Sequence, residues 1–156
     1  MGTIRVLLVD DHEVVRAGLR AMLEIEPDLR VIGEASDGAR AVLDAESLGP
    51  DVVIMDVRMD TMDGIASCRE IKSRMPQTGV LMLTSFGTNE AVLAALVAGA
   101  SGFMLKNAPR TELLRAVRAV GAGQSLLDPS ITKTVTNRLV ELTEQAEHPA
   151  IAALSP

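Results

Sequence analysis

Residues with chemistry to offer stand at the ends of apolar runs. Asp10 and Asp11 close IRVLLVDD, Asp56 closes DVVIMD, Thr84 and Ser85 close VLMLTS, and Lys106 closes SGFMLK. Taken singly, each has an ordinary explanation. An Asp after a strand is usually a turn former or helix cap, a Thr there is turn chemistry, and a Lys is solvated surface. Together they share one theme. Three carboxylates gathered at one rim repel one another, which raises their pKa values or calls in a cation. A hard divalent ion with oxygen ligands suits such a rim, and Mg²⁺ is the usual ion where phosphate is handled. Lys106 and the Thr84 hydroxyl would then pair with phosphoryl oxygens. Asp56, held in line with that group, would be a nucleophile forming an acyl phosphate.

Such convergence needs elements that bring distant residues to one edge, and the hydropathy pattern supplies them. Apolar runs at 4–10, 29–36, 51–56, 79–85 and 101–106 alternate with stretches of helical period at 13–26, 39–46, 64–75, 89–99 and 110–120. In the first helix Val15, Leu19 and Met22 share a face, and Pro76 stops the third. Five strands alternating with five helices predict βαβ crossovers and a parallel sheet covered on both faces. The strands are nearly unbroken apolar runs, as burial on both faces requires. Open sheets of this kind place their ligand sites beyond the carboxyl ends of the strands. Four of the five ends carry the groups named above; the second, Ala35-Ser36, does not.

The α/β domain is expected to fill residues 1–122, followed at 123–156 by a linker. GAGQSLLD reads as a loop, Asp128-Pro129 as a helix start, and Ile131, Val135, Leu139 and Leu142 as one face of an amphipathic helix over about 130–145. Composition narrows the function classes. The 156 residues are 47% hydrophobic, enough for a core, and the net charge of −6 argues against this segment gripping DNA by itself. No run of 18 apolar residues suggests a membrane span, and the acids of MGTIRVLLVDD come too early for a signal peptide. The single cysteine, Cys68, fits a reducing cytoplasm and reads as a packing residue. His12 reads as helix-start packing and His148 as linker, neither with a metal role.

The stretches VLLVDDHEVVRAGL, DVVIMDVRMDTMDG, LMLTS and GASGFMLK closely resemble the receiver domain of bacterial two-component response regulators, over roughly residues 3–122. The resemblance implies a flavodoxin-like sheet of order 2-1-3-4-5. It implies Asp56 as phosphoacceptor for a sensor histidine kinase, and Mg²⁺ held by Asp10, Asp11, Asp56 and the backbone carbonyl of Arg58. Thr84 is then the switch hydroxyl, Lys106 the phosphate-sensing cation and Phe103 the switch aromatic. DDHEVVRAGL with GASGFMLK looks most like the NarL/FixJ class, whose LuxR-type helix-turn-helix output would lie beyond ALSP at 153–156; DNA would be reached only through it. Two positions depart from the family: Asp60 stands where a proline is common after the acceptor, and Asn107 follows Lys106 in place of a proline, making a cis peptide there less expected.

Phosphorylation is expected to draw Thr84 and Lys106 inward and to reshape the surface around the fourth helix, fifth strand and fifth helix, with homodimerisation as the consequence. The fourth helix is apolar from Ala91 to Ala98, so Leu96 is a candidate interface residue. The first helix or the linker helix is an alternative. Phe86, two residues past Thr84, would shield the acyl phosphate from water. Two rivals are weaker: a receiver acting by binding alone, and a haloacid-dehalogenase-type phosphatase, which wants an acid two residues past the nucleophile where this chain has Arg58.

Overall fold

A computed structural model describes residues 2–59, 62–85 and 87–127. In chain order the elements are β1 (Ile4–Val9), α1 (Glu13–Glu24), β2 (Leu29–Ala35), α2 (Gly38–Leu48), β3 (Val52–Asp56), α3 (Gly64–Arg74), β4 (Gly79–Thr84), α4 (Asn89–Val97), β5 (Gly102–Leu105), α5 (Arg110–Gly121) and β6 (Leu126–Leu127). The strands form one sheet in the order β2-β1-β3-β4-β5-β6, and every pairing is parallel. The expected 2-1-3-4-5 core is therefore present. Beside it stands a sixth strand of two residues where the sequence suggests only a loop. It forms because α5 ends at Gly121 and Gly123, at φ 85°, turns the chain back so that Leu126 pairs with Gly102. The expected helix at 130–145, with the rest of the 123–156 linker beyond 127, lies outside the described residues.

Alternation along the strands builds two cores. Leu7, Val9, Val53, Met55, Val80, Met82 and Phe103 face the side covered by α2, α3 and α4. Val6, Leu8, Val52, Ile54, Leu81 and Leu83 face the side covered by α1 and α5. Every residue of β3 and β4 is buried, and each large aliphatic side chain so buried contributes about 1.5–3 kcal/mol. Cys68 packs in the first of these cores with its thiol pushed up to about 11 by burial, as a packing residue should be.

Three helices carry side-chain N-caps: Asp37 accepts from the Arg40 amide, Asp63 from Ala66 and Thr88 from Ala91. In α1 the residue that goes deepest is Leu23, while Val15, Leu19 and Met22 stay half-buried. α4 buries Val92 and Ala95 and stops at Val97, and Gly99 at φ 98° turns the chain away. Leu96 packs partly against the core, so it is Val97, 75% exposed, that α4 presents to solvent. Among the described residues no peptide is cis, in keeping with Asn107 after Lys106.

Candidate functional site

The sheet changes winding direction between β1 and β3, which are hydrogen-bonded neighbours with Val9 opposite Met55. Their carboxyl ends therefore open side by side, at the point where open α/β sheets bind ligands. β4 lies next, with Leu83 opposite Asp56, and β5 beyond it, with Leu105 opposite Thr84. Register thus delivers Asp10, Asp56, Thr84 and Lys106 to one edge, though up to 96 residues separate them in sequence.

Asp10, Asp56 and Thr84 are buried there, at 4%, 6% and 3% exposure. Lys106, one residue past β5, reaches across the edge. Its Nζ donates to Asp10 Oδ2 at 2.8 Å and stands 3.3 Å from Asp56 Oδ2. One ammonium thereby holds two carboxylates. Burial pushes the Asp10 carboxyl up, but hydrogen bonds from Lys106 and from the His12 amide, with the Lys106 charge, outweigh it and leave the group below the ordinary carboxylate value. Asp56 goes the other way. Burial raises it, the neighbouring Asp10 charge adds to that, and Lys106 and the Arg58 amide offset only part. Lys106 is held above its ordinary value: burial opposes its charge, and the two carboxylates more than restore it. The buried acid with the surplus of unfavourable charge is Asp56.

Asp11 sits on the same rim. Its Oδ1 is buried and has no hydrogen-bond partner among the described residues, although His12 Nδ1 lies 2.9 Å away; the contact is close but not aligned for a hydrogen bond. A buried carboxylate oxygen without a donor is costly unless a cation takes its place. One donor atom each from Asp10, Asp11, His12 and Asp56 lie within 4.8 Å of one another. The charge, the crowding and the orphaned oxygen all fit a divalent cation, and Mg²⁺ is compatible with the three carboxylates. Arg58, on the loop after β3, is exposed, and its amide approaches Asp56 Oδ1 at 3.4 Å. Phe103 is fully buried on β5, facing the α4 side of the sheet. Asp60 and Phe86 lie outside the described residues.

Several positioning residues carry no sequence signal of chemistry. A Cβ at Gly64 would stand 2.0 Å from the Asp56 carbonyl oxygen, so only glycine lets α3 begin against the end of β3; the Gly64 amide then donates to the Val57 carbonyl at 2.9 Å. Arg16 of α1 donates to the Asp10 carbonyl at 2.5 Å while its Nε pairs with Glu34 of β2 at 3.1 Å, bracing the strand end that carries the acids. His12 is a correction. Its side chain is 66% exposed and its ring turns toward Asp10 and Asp11, so it does not pack at the helix start.

Comparison with known proteins agrees with this geometry. The model of the response regulator receiver domain matches residues 6–118. The DNA-binding transcriptional activator DevR/DosR of Mycobacterium tuberculosis is 50% identical over 125 residues, covering 80% of this chain and 58% of that protein. The chain thus spans little more than half of that relative. Among solved structures, a LuxR-family two-component response regulator from an Aurantimonas species is similar at a TM-score of 0.82 and 33% identity, covering 89% of this chain and 99% of that one. The isolated receiver domain of RcsB from Salmonella enterica serovar Typhimurium, solved with the phosphomimetic BeF₃⁻, is similar at a TM-score of 0.76 and 28% identity, covering 85% and 99%. By family match, identity and fold together, the chain belongs to the response regulator receiver domains, and its relatives are response regulators of the NarL/LuxR class.

Proposed function

We propose that Asp56 is the phosphoacceptor of a two-component switch that controls transcription. The observation that carries this is the meeting of three strand ends in one acidic centre, where Lys106 bridges Asp10 and Asp56. The donor is the phosphohistidine of a sensor kinase. Asp56 Oδ attacks phosphorus, the new O–P bond forms as the N–P bond breaks, and the departing imidazole nitrogen keeps the electron pair and takes a proton from solvent. Asp10, Asp11, Asp56 and the Arg58 carbonyl would hold Mg²⁺, which when bound neutralises the crowded acids and the incoming phosphoryl oxygens.

The remaining work falls to this chain's own groups. The stiff, buried β3 fixes the Asp56 carboxylate in one orientation. Lys106 is already within reach of Asp56 and transfers its pairing from the carboxylates to a phosphoryl oxygen. Thr84, at the end of β4, supplies a hydroxyl to another, and Phe103 moves toward the space the hydroxyl leaves. These shifts alter the face of α4, β5 and α5 and favour a homodimer. DNA is engaged by an output domain outside this segment, as the name of the DevR/DosR relative suggests. The chain then works in the cytoplasm as a switch with self-phosphorylation and self-dephosphorylation chemistry only, and not as an enzyme acting on a separate substrate. Among the described residues no helix is long and apolar enough to cross a membrane.

Incubation with acetyl phosphate and Mg²⁺, read by intact mass, tests the assignment. The wild-type chain gains one phosphoryl group, and Asp56→Asn or chelation of the ion abolishes the gain. A chain that stays unmodified, or an Asp56→Asn variant that is still modified to the same extent, would overturn it.

A further inference from the structure

The acidic centre contains one group that phosphoryl transfer does not use, the imidazole of His12. An exposed ring on a solvated loop has many orientations open to it. This one points Nδ1 into the acids, 3.0 Å from Asp10 Oδ1 and 2.9 Å from Asp11 Oδ1. A single N–H on Nδ1 serves the first of these oxygens, and the second remains without a hydrogen bond. Both separations have another meaning. Two donor atoms bound to one ion at about 2.1 Å stand about 3.0 Å apart at the right angle of octahedral coordination and about 3.4 Å apart at the tetrahedral angle. His12 Nδ1 is thus spaced from these two oxygens as a co-ligand would be, and it belongs to the same cluster of donor atoms as the three carboxylates.

The chemistry of that fourth donor matters. Mg²⁺ prefers oxygen and keeps its waters, so a neutral imidazole adds little to its binding. Imidazole is a favoured ligand of late first-row ions, whose affinity for mixed nitrogen and oxygen sites exceeds that of the hard ions. We propose that His12 makes this centre a mixed nitrogen–oxygen site that also takes a late first-row divalent ion such as Zn²⁺ or Ni²⁺, with His12 Nδ1 as the added ligand. The inference rests on the acids forming a cation site, and it assigns to His12 the choice between classes of ion. An oxygen-only form of the centre would have little with which to separate Mg²⁺ from Zn²⁺, which are alike in charge and size. With His12 in place, the late ion gains a bond that Mg²⁺ does not, and competes for the same carboxylates.

The chain has two histidines, so a His148→Ala background leaves His12 as the single imidazole. Calorimetric titration of that protein with Mg²⁺ and separately with Zn²⁺, repeated with His12→Ala and with Asp11→Asn added, tests the assignment. His12→Ala is expected to weaken Zn²⁺ by about tenfold or more and to leave Mg²⁺ unchanged, and Zn²⁺ is expected to shift the ¹⁵N resonance of Nδ1 in the parent. Asp11→Asn is expected to weaken both ions. If His12→Ala affects neither ion, or both alike, the ring is only a hydrogen-bond partner of Asp10 and the inference is overturned. If Asp11→Asn also leaves both ions bound as before, the cation site itself falls, and the inference with it.

Discussion

At the scale of single residues, the centre is an electrostatic imbalance held in place by packing. Asp10 has Lys106 and two hydrogen bonds from His12; Asp56 has a more distant share of Lys106, a long contact from the Arg58 amide and the charge of Asp10 against it. The consequences for stability differ in sign. Asp10 sits below its ordinary value, so the stability it contributes is present above that value and is lost as pH falls through its folded pKa. Asp56 sits above the ordinary value of 3.8, so the fold retains its proton more readily than the unfolded chain, and stability is lost as pH rises through its folded pKa. Asp56→Asn removes that loss. In the absence of divalent ions the variant should melt a few degrees above wild type at neutral pH, with the gap closing as pH falls toward 3.8. Thermal melts across pH check this; a constant gap, or a variant that melts lower at neutral pH, would contradict it. The acids, Thr84 and Lys106 were legible in the sequence because each ends an apolar run that has no reason to carry it. The roles of Arg16 and His12 were not, since an arginine within a helix and a histidine before one look ordinary until β2 and the acids are brought beside them.

At the scale of elements, the strands were the most legible part of the chain. Burial on both faces keeps β3 and β4 free of polar residues up to their last positions, Asp56 and Thr84, and an unbroken apolar run of that length needs no structure to be recognised. Helix faces were harder. α1 has a polar face to set against its apolar one, yet its deepest residue, Leu23, is displaced by one position from the face read from Met22. α4 has almost no polar residues, so its period carries no information about which side turns inward, and only packing shows that Val92 and Ala95 do and Val97 does not. The two-residue β6 is too short to leave a pattern. Gly64 belongs to this scale because it governs how closely α3 approaches β3. Gly64→Ala places a methyl group against the Asp56 carbonyl, where backbone and not a flexible side chain must yield. Overpacking of this kind costs about 1–3 kcal/mol. Urea denaturation should show that loss, together with slower phosphorylation of the folded fraction because the acceptor strand has shifted; unchanged stability would mean that α3 can move away freely.

At the scale of the molecule, the parallel sheet works as a rigid frame, and one edge of it gathers residues from positions 10 to 106. A change of charge at that edge has short routes to the surface through β4 and β5, whose side chains pack directly on α4 and α5. Among the described residues Val97 and Leu105 are exposed apolar residues on that side, and Val97 is the more exposed. If phosphorylation brings two copies together there, Val97→Glu should abolish the beryllofluoride-dependent increase in mass seen by sedimentation while leaving the melting temperature near wild type. A dimer that persists would move the interface to α1 or to the segment beyond 127. Where the acceptor chemistry assembles can be seen in a crystal structure with Mg²⁺ and beryllofluoride. The ion is expected on Asp10, Asp11 and Asp56, and the beryllofluoride on Asp56 within hydrogen-bonding reach of Lys106 and Thr84. Beryllofluoride on another carboxylate, or an ion bound away from these three acids, would contradict the assignment of Asp56 as acceptor.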